Sequence, residues 1–452
     1  MRNTFFLKQD IVPLLKLAIP LALTGFVQSA VWFFETIFLA HLGPDTLAAG
    51  SLVSWLFGTL AVILFGALSA INILVAHKHG ENDQEGIALV ARDGLLMAVL
   101  LVIPAILLFW NMSPVFRLFG QPESIVVLAK TYLHALSWGM LANFMAMACL
   151  EVIMGIGHAR LILAFNIVWV SLNISWSYIL IFGKLGFPAF GIAGAGWGMT
   201  VSSWLAALLL IVFILANKQY KVFFRHVLKL IKPSCLMELL QIGLPMGFMF
   251  CVEVAFFFAL TLCMGLISSR MQAANQVALQ YLGLFMSAMF AIAQAVTVRM
   301  GHLLGAKDIH SAEKVNYIGI GIAAAFMSLV AIAYWAFPAL LISIDFDIQN
   351  PDNQIIISEI KSLLAVSAIF QIIEGVRITL FGSLRGLKDT QFTLLTSIIS
   401  FWCIALPVGY LLAIYLKAGG PGFWWGMVMG AGLSVLLLQR RFKGKMKQYY
   451  PG

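Results

Sequence analysis

The sequence predicts an all-α integral membrane protein: twelve transmembrane helices arranged as two pseudo-symmetric six-helix lobes, a 6+6 parallel repeat. Three observations carry this. Hydrophobic residues make up 62% of the chain and charged ones 10%, with a mean hydropathy of +0.97, so no soluble domain is left over. Apolar runs long enough to cross a bilayer, about 20 residues each, recur along the whole length. The chain also superimposes on itself at a shift of 225 residues.

The first six runs lie near 15–40, 48–75, 93–110, 125–155, 161–182 and 191–216. The second six lie near 238–267, 272–298, 315–342, 355–383, 391–415 and 421–438. Backbone polar groups in lipid must be satisfied internally, and runs this long and evenly apolar suit helices, not barrel strands. The start, Met1-Arg2-Asn3 before an apolar stretch, has the outline of a signal peptide. Asp10 and Lys16 interrupt it and the run continues to about residue 40, so it is expected to be the first permanent helix.

Twelve spans put both termini on one side, and the basic residues mark that side as cytoplasmic. Of the 28 Lys and Arg, only Arg117, Lys130, Lys184, Arg270, Lys361 and Lys417 fall on the opposite side, and Arg377 falls inside a run. The net charge of +9 is therefore an orientation signal for an inner or plasma membrane, and no nucleic-acid partner is expected. The five cysteines lack paired spacing and give neither a disulfide framework nor a metal site.

The repeat rests on a proline and a loop signature held at one offset. Leu14-Leu15 with Pro20 matches Leu239-Leu240 with Pro245, and Gly80 with Asp83 matches Gly305 with Asp308. Six helices per repeat make it parallel, about an axis along the membrane normal, with the lobes facing each other across a cavity as alternating access requires. The expected divisions are 1–217 for helices 1–6, a basic cytoplasmic linker at 218–236, and 237–452 for helices 7–12 with the tail Arg440–Lys447.

The residue that most demands a task is Glu253, the one acid between Pro245 and Ile267. A charge that deep costs roughly 2.5–3.5 kcal/mol even on lenient insertion scales. Counted from the start of its run it lies about 22 Å in, past the midplane, and its repeat counterpart is the neutral Gln28. In the tenth run Glu374 and Arg377 stand three apart, the spacing of an ion pair; coupling site, structural pair and gate all remain open for them. Glu35 shares a face of the first run with Gln28, near its outer end. Asn173 and Ser177, one turn apart, either line a cavity or bind helices together. Phe256 is the aromatic singled out for contact with a lipophilic cation, packing being the alternative. Glu151 has no assigned role beyond a place at the cytoplasmic mouth.

These features resemble the multidrug and toxic compound extrusion (MATE) transporters, in particular the NorM-like branch. The resemblance is carried by Pro20 and Pro245, the repeat, Phe250-Cys251-Val252-Glu253-Val254-Ala255, Leu172-Asn173, and above all Gly382-Ser383-Leu384-Arg385-Gly386-Leu387-Lys388-Asp389-Thr390. It implies antiport, an organic and often cationic compound leaving as Na+ or H+ enters. It gives Glu253 the place of the embedded glutamate used for cation coupling, and gives Glu374 and Glu35 the places of aspartates in the tenth and first helices. Gln28, Asn173, Ser177 and Phe256 are then expected in the substrate cavity, and Arg377 as a gate or ion pair. Ser177 stands where relatives tend to carry Asp or Asn. No cofactor is expected, and no metal beyond Na+ at Glu253 and Glu374; the partners are small organic substrates and the bilayer, and the chain is expected to be a monomer.

Two other readings stay open, a lipid or lipid-linked flippase of the same broad superfamily and an intramembrane enzyme. Neither a His-Glu-x-x-His motif nor a phosphate-cradling loop is present, and His77 and His79 make a weak metal pair. Without such a loop, an ion gradient is the expected energy source in place of ATP.

Overall fold

A computed structural model describes residues 2–226 and 233–449, so Lys229 and Lys232 of the basic connector lie outside the described residues. Every regular element among the described residues is helical. The spans are α1 (Arg2–Ala40), α2 (Pro44–Gly80), α3 (Gln84–Trp110), α4 (Glu123–Ser137 with Met140–Gly155), α5 (Ala159–Phe182) and α6 (Ile192–Ala216). They continue as α7 (Leu236–Ile267), α8 (Ser269–Gly305), α9 (Ile309–Ala336), α10 (Pro351–Gly386), α11 (Thr390–Tyr415) and α12 (Gly420–Tyr449). Eleven qualify alone as membrane-crossing helices among the described residues, and the bent pair forming α4 makes twelve.

The bend in α4 is 51°. Breaking a helix in lipid frees carbonyls that need donors, and α6 supplies two. Thr200 donates its hydroxyl to the Ala135 carbonyl at 2.7 Å, and the Trp204 indole N–H donates to the Trp138 carbonyl at 3.0 Å. In α11, Pro407 lacks an amide proton, and the residues on either side, Ile398–Ala405 and Leu411–Tyr415, relax into wide i→i+5 turns.

The chain forms two compact units: Ile19–Gly247, and Met1–Ala18 with Phe248–Gly452. Both changes of unit fall within a few residues of the repeat-related prolines, Pro20 and Pro245. In the first unit Asp93 of α3, paired with Arg92, accepts the Ser234 and Cys235 amides at 2.8 and 2.6 Å and so holds the start of α7. Without a hydrophobic force between helices in lipid, crossings rely on small residues that let backbones approach. In the second unit Gly382 of α10 lies against the Ala293 carbonyl of α8, and Thr297 donates to the Gly382 carbonyl at 2.8 Å.

The repeat recurs within each unit as one turn used four times, between α2 and α3, α4 and α5, α8 and α9, and α10 and α11. Asn82, Gly157, Lys307 and Lys388 each take a left-handed conformation, with φ of 57°, 93°, 61° and 59°. The residue after each donates its amide five residues back, to Lys78, Ile153, Leu303 and Leu384, closing the helix in the same way. Asp83 and Asp308 then cap the next helix, accepting the Gly86 and Ser311 amides at 2.8 and 3.1 Å. The other two use their side chains elsewhere. His158 Nδ1 meets the Tyr220 hydroxyl at 2.8 Å, and Asp389 accepts from Arg441 Nε at 2.6 Å. Aligning the turns that end at His158 and Asp389 fixes an offset of 231 residues between α4–α5 and α10–α11.

Candidate functional site

In the second unit, α10 places Glu374 and Arg377 one turn apart and both are 1% exposed. Arg377 grips Glu374 with two donors, Nε to Oε2 at 2.7 Å and Nη2 to Oε1. Its third nitrogen, Nη1, reaches across to Glu253 Oε1 of α7 at 2.9 Å. The Ser397 hydroxyl of α11 donates to that same oxygen at 2.9 Å. The guanidinium carbon lies 4.5 Å from the Phe381 ring centroid and 4.6 Å from that of Phe401. Phe401 belongs to the first wide turn of α11, which begins directly after Ser397.

An isolated buried charge is costly, whereas one that is paired, hydrogen-bonded and stacked on aromatic faces is tolerated. A guanidinium stays protonated in proteins, so with both carboxylates ionised the triad carries a net charge of −1. The uncompensated charge belongs to Glu253. Glu374 has both oxygens engaged by Arg377, whereas Glu253 Oε2 accepts from no described group and its side chain keeps 10% exposure.

Glu253 is met by α10 and α11 close to their shared turn. Ser397 is seven residues into α11 and Arg377 nine from the end of α10, about 10 and 14 Å along those helices.

The first unit treats the matching positions differently. Gln28 donates to Asn166 Oδ1 at 2.7 Å, and the two repeat offsets make this pair the counterpart of Glu253 and Ser397. Asn143 and Ala146 stand in the places of Glu374 and Arg377. Glu35 is buried, and among the described residues its Oε2 has no partner; nor has the buried Asn173 Nδ2. Ser177 is packed on Gly198 at the crossing of α5 and α6, because a residue without a side chain lets the helices close on it. Glu151 is enclosed, accepting from Asn72 Nδ2. Phe256, in the second unit, is fully buried with its ring 4.7 Å from Phe401, so it packs behind the triad.

Ser397 and Asn166 were missed in the sequence because a serine or asparagine in a membrane helix carries no signal until its partner is known. Among the described residues no group of three or more His, Cys, Asp or Glu side chains gathers as a metal site.

The sequence model of the MatE family matches residues 20–179 and again 245–411, starting at the two repeat-related prolines. The chain belongs to the MatE family. It is 31% identical over 439 residues to the multidrug resistance protein NorM of Burkholderia vietnamiensis, covering 96% of this chain and 94% of that one. A probable multidrug resistance protein NorM of Pseudomonas aeruginosa is 31% identical over 445 residues, covering 98% and 91%. The fold matches an outward-facing MATE family transporter of the MOP superfamily with a TM-score of 0.86 at 20% identity, over 97% of this chain and 96% of that one. It matches the eukaryotic MATE transporter AtDTX14 with a TM-score of 0.82 at 18% identity, over 98% of each. This MATE chain is thus a NorM-branch secondary transporter and not an enzyme, a cation-coupled antiporter of organic compounds working by alternating access.

Proposed function

We propose that this antiporter couples export of lipophilic organic cations to entry of Na+ or H+ at the Glu253–Glu374–Arg377 triad. It works as a monomer in the cell membrane with both termini cytoplasmic. The observation that carries the reading is the charge count: two enclosed carboxylates share one guanidinium, leaving a single negative charge on Glu253. Such a charge is stable in a low-dielectric site when a monovalent cation or proton neutralises it, so the occupied and empty states of the site differ in how readily they are buried. That difference is what alternating access needs from a coupling ion.

Glu35, Gln28 and Asn173 are the polar groups we assign to substrate handling in the first unit. Glu35 is a buried acid whose Oε2 has no partner among the described residues, suited to an organic cation. The test is dye efflux from proteoliposomes under an imposed pH or Na+ gradient. Glu253→Gln is expected to insert normally and to lose efflux on both gradients; wild-type efflux from that variant would remove the coupling role. Glu35→Gln is expected to alter the range of compounds exported while gradient dependence persists.

A further inference from the structure

We infer that Arg377 makes this a proton site and excludes Na+, acting as a resident cation that occupies the ligands a metal ion would need. The inference rests on the coupling role proposed for the triad and selects its ion. A hard cation requires a shell of several oxygens, carboxylate and carbonyl foremost. The described groups at the site offer five side-chain oxygens, two each from Glu253 and Glu374 and one from Ser397. Both oxygens of Glu374 already accept from Arg377, and Glu253 Oε1 accepts from Arg377 and from Ser397. Arg377 Nη1 also stands 3.5 Å from Ser397 Oγ. One carboxylate oxygen is left, Glu253 Oε2, and a proton is the coupling cation that a single oxygen suffices to hold.

The guanidinium also opposes a second cation by charge. It lies over the Phe381 and Phe401 rings and is held along its edges by two acids, so it does not yield its place as a solvated lysine would. The other charges near Glu253 reinforce this. Arg385, a buried residue further along α10, lies over the Phe250 ring at 5.3 Å, one turn from Glu253 on α7. Ser397 is the polar contact that α11 makes with the glutamate. Proton uptake forms one O–H bond at Glu253 Oε2 and leaves Glu374 with Arg377 as a neutral pair. Release breaks that bond and returns the triad to −1.

The experiment compares wild type, Arg377→Gln and the double variant Glu374→Gln/Arg377→Gln in proteoliposomes under separate pH and Na+ gradients. A companion measurement is thermal stability in NaCl against choline chloride at equal ionic strength. Wild type is expected to be driven by the pH gradient alone, with no Na+-specific stabilisation. Both variants are expected to gain Na+-driven efflux and a Na+-dependent rise in Tm, their apparent Na+ affinity increasing on the order of 100-fold once the competing charge is gone. The double variant keeps the single negative charge of wild type, so it guards against loss of Arg377→Gln through misfolding. Na+-driven efflux by wild type would overturn the inference and leave the antiport reading intact, as would inserted variants that stay insensitive to Na+. Wild type driven by neither gradient would sink the coupling reading itself.

Discussion

At the position where one unit joins Gln28 to Asn166, the other joins Glu253 to Ser397, and the two pairs hold the same place in α1–α5 and α7–α11. The helix that follows the same logic carries Asn143 and Ala146 in one unit and Glu374 and Arg377 in the other. The reverse holds for Glu35 and Asn173, whose counterparts are Leu260 and Ile404. A duplicated scaffold has therefore kept its polar joints and divided its charges. The cross-helix hydrogen bond is common to both units, so it belongs to the architecture; the carboxylate–guanidinium triad occurs in one, which is why the coupling role is proposed there.

The sharpest way to break this comparison is to remove the charge that distinguishes the units. Glu253→Gln recreates the neutral joint of Gln28, and gradient-driven efflux is expected to fall by about 100-fold or more while the protein still reaches the membrane, as vesicle assays and membrane yield check. The converse, Ala146→Arg, puts a cation among neutral neighbours. An unpaired charge there costs roughly 2.5–3.5 kcal/mol, so membrane-inserted protein is expected to drop steeply, with recovery when Asn143→Glu is added to supply the partner.

Asp93→Ala leaves Arg92 with a lost partner and two amides at the start of α7 uncapped. Breaking a buried pair costs about 3–5 kcal/mol, and a lower Tm in detergent than for any single turn variant is the expected outcome. The smallest effect separates the four repeated turns. Asp83→Ala and Asp308→Ala each remove a cap worth about 1 kcal/mol, whereas His158→Ala leaves its helix start unaffected and releases Tyr220. The Gly86 amide holds the Asp83 carboxyl below its usual range. Its stabilisation is therefore present above the ordinary carboxylate value and lost as pH falls through the depressed one. The Tm gap between wild type and Asp83→Ala should shrink under acid conditions and not in base.

All twelve spans were legible in the sequence because a bilayer demands long apolar runs whatever they pack against, and Glu374 with Arg377 was legible because ion pairing along a helix depends on spacing alone. Which face of a helix meets a neighbour is a tertiary matter. Ser177 and Phe256 lie against Gly198 and Phe401, residues unremarkable in the sequence, and so the first packs at a helix crossing and the second behind the triad. The partners of Glu253 come from residues 124 and 144 positions away. The start of α7 is held by Asp93, whose role no local pattern announces.

A triad with two fixed negative charges and one fixed positive charge also has an electrical consequence. In the coupling role proposed for it, it takes up one positive charge and gives up one, so exchange for a singly charged organic cation moves no net charge through the membrane. A potential of 100 mV exerts about 2.3 kcal/mol on each charge that crosses, yet it does no work on a one-for-one swap. Such a transporter would answer to the chemical gradient of its ion and be indifferent to voltage.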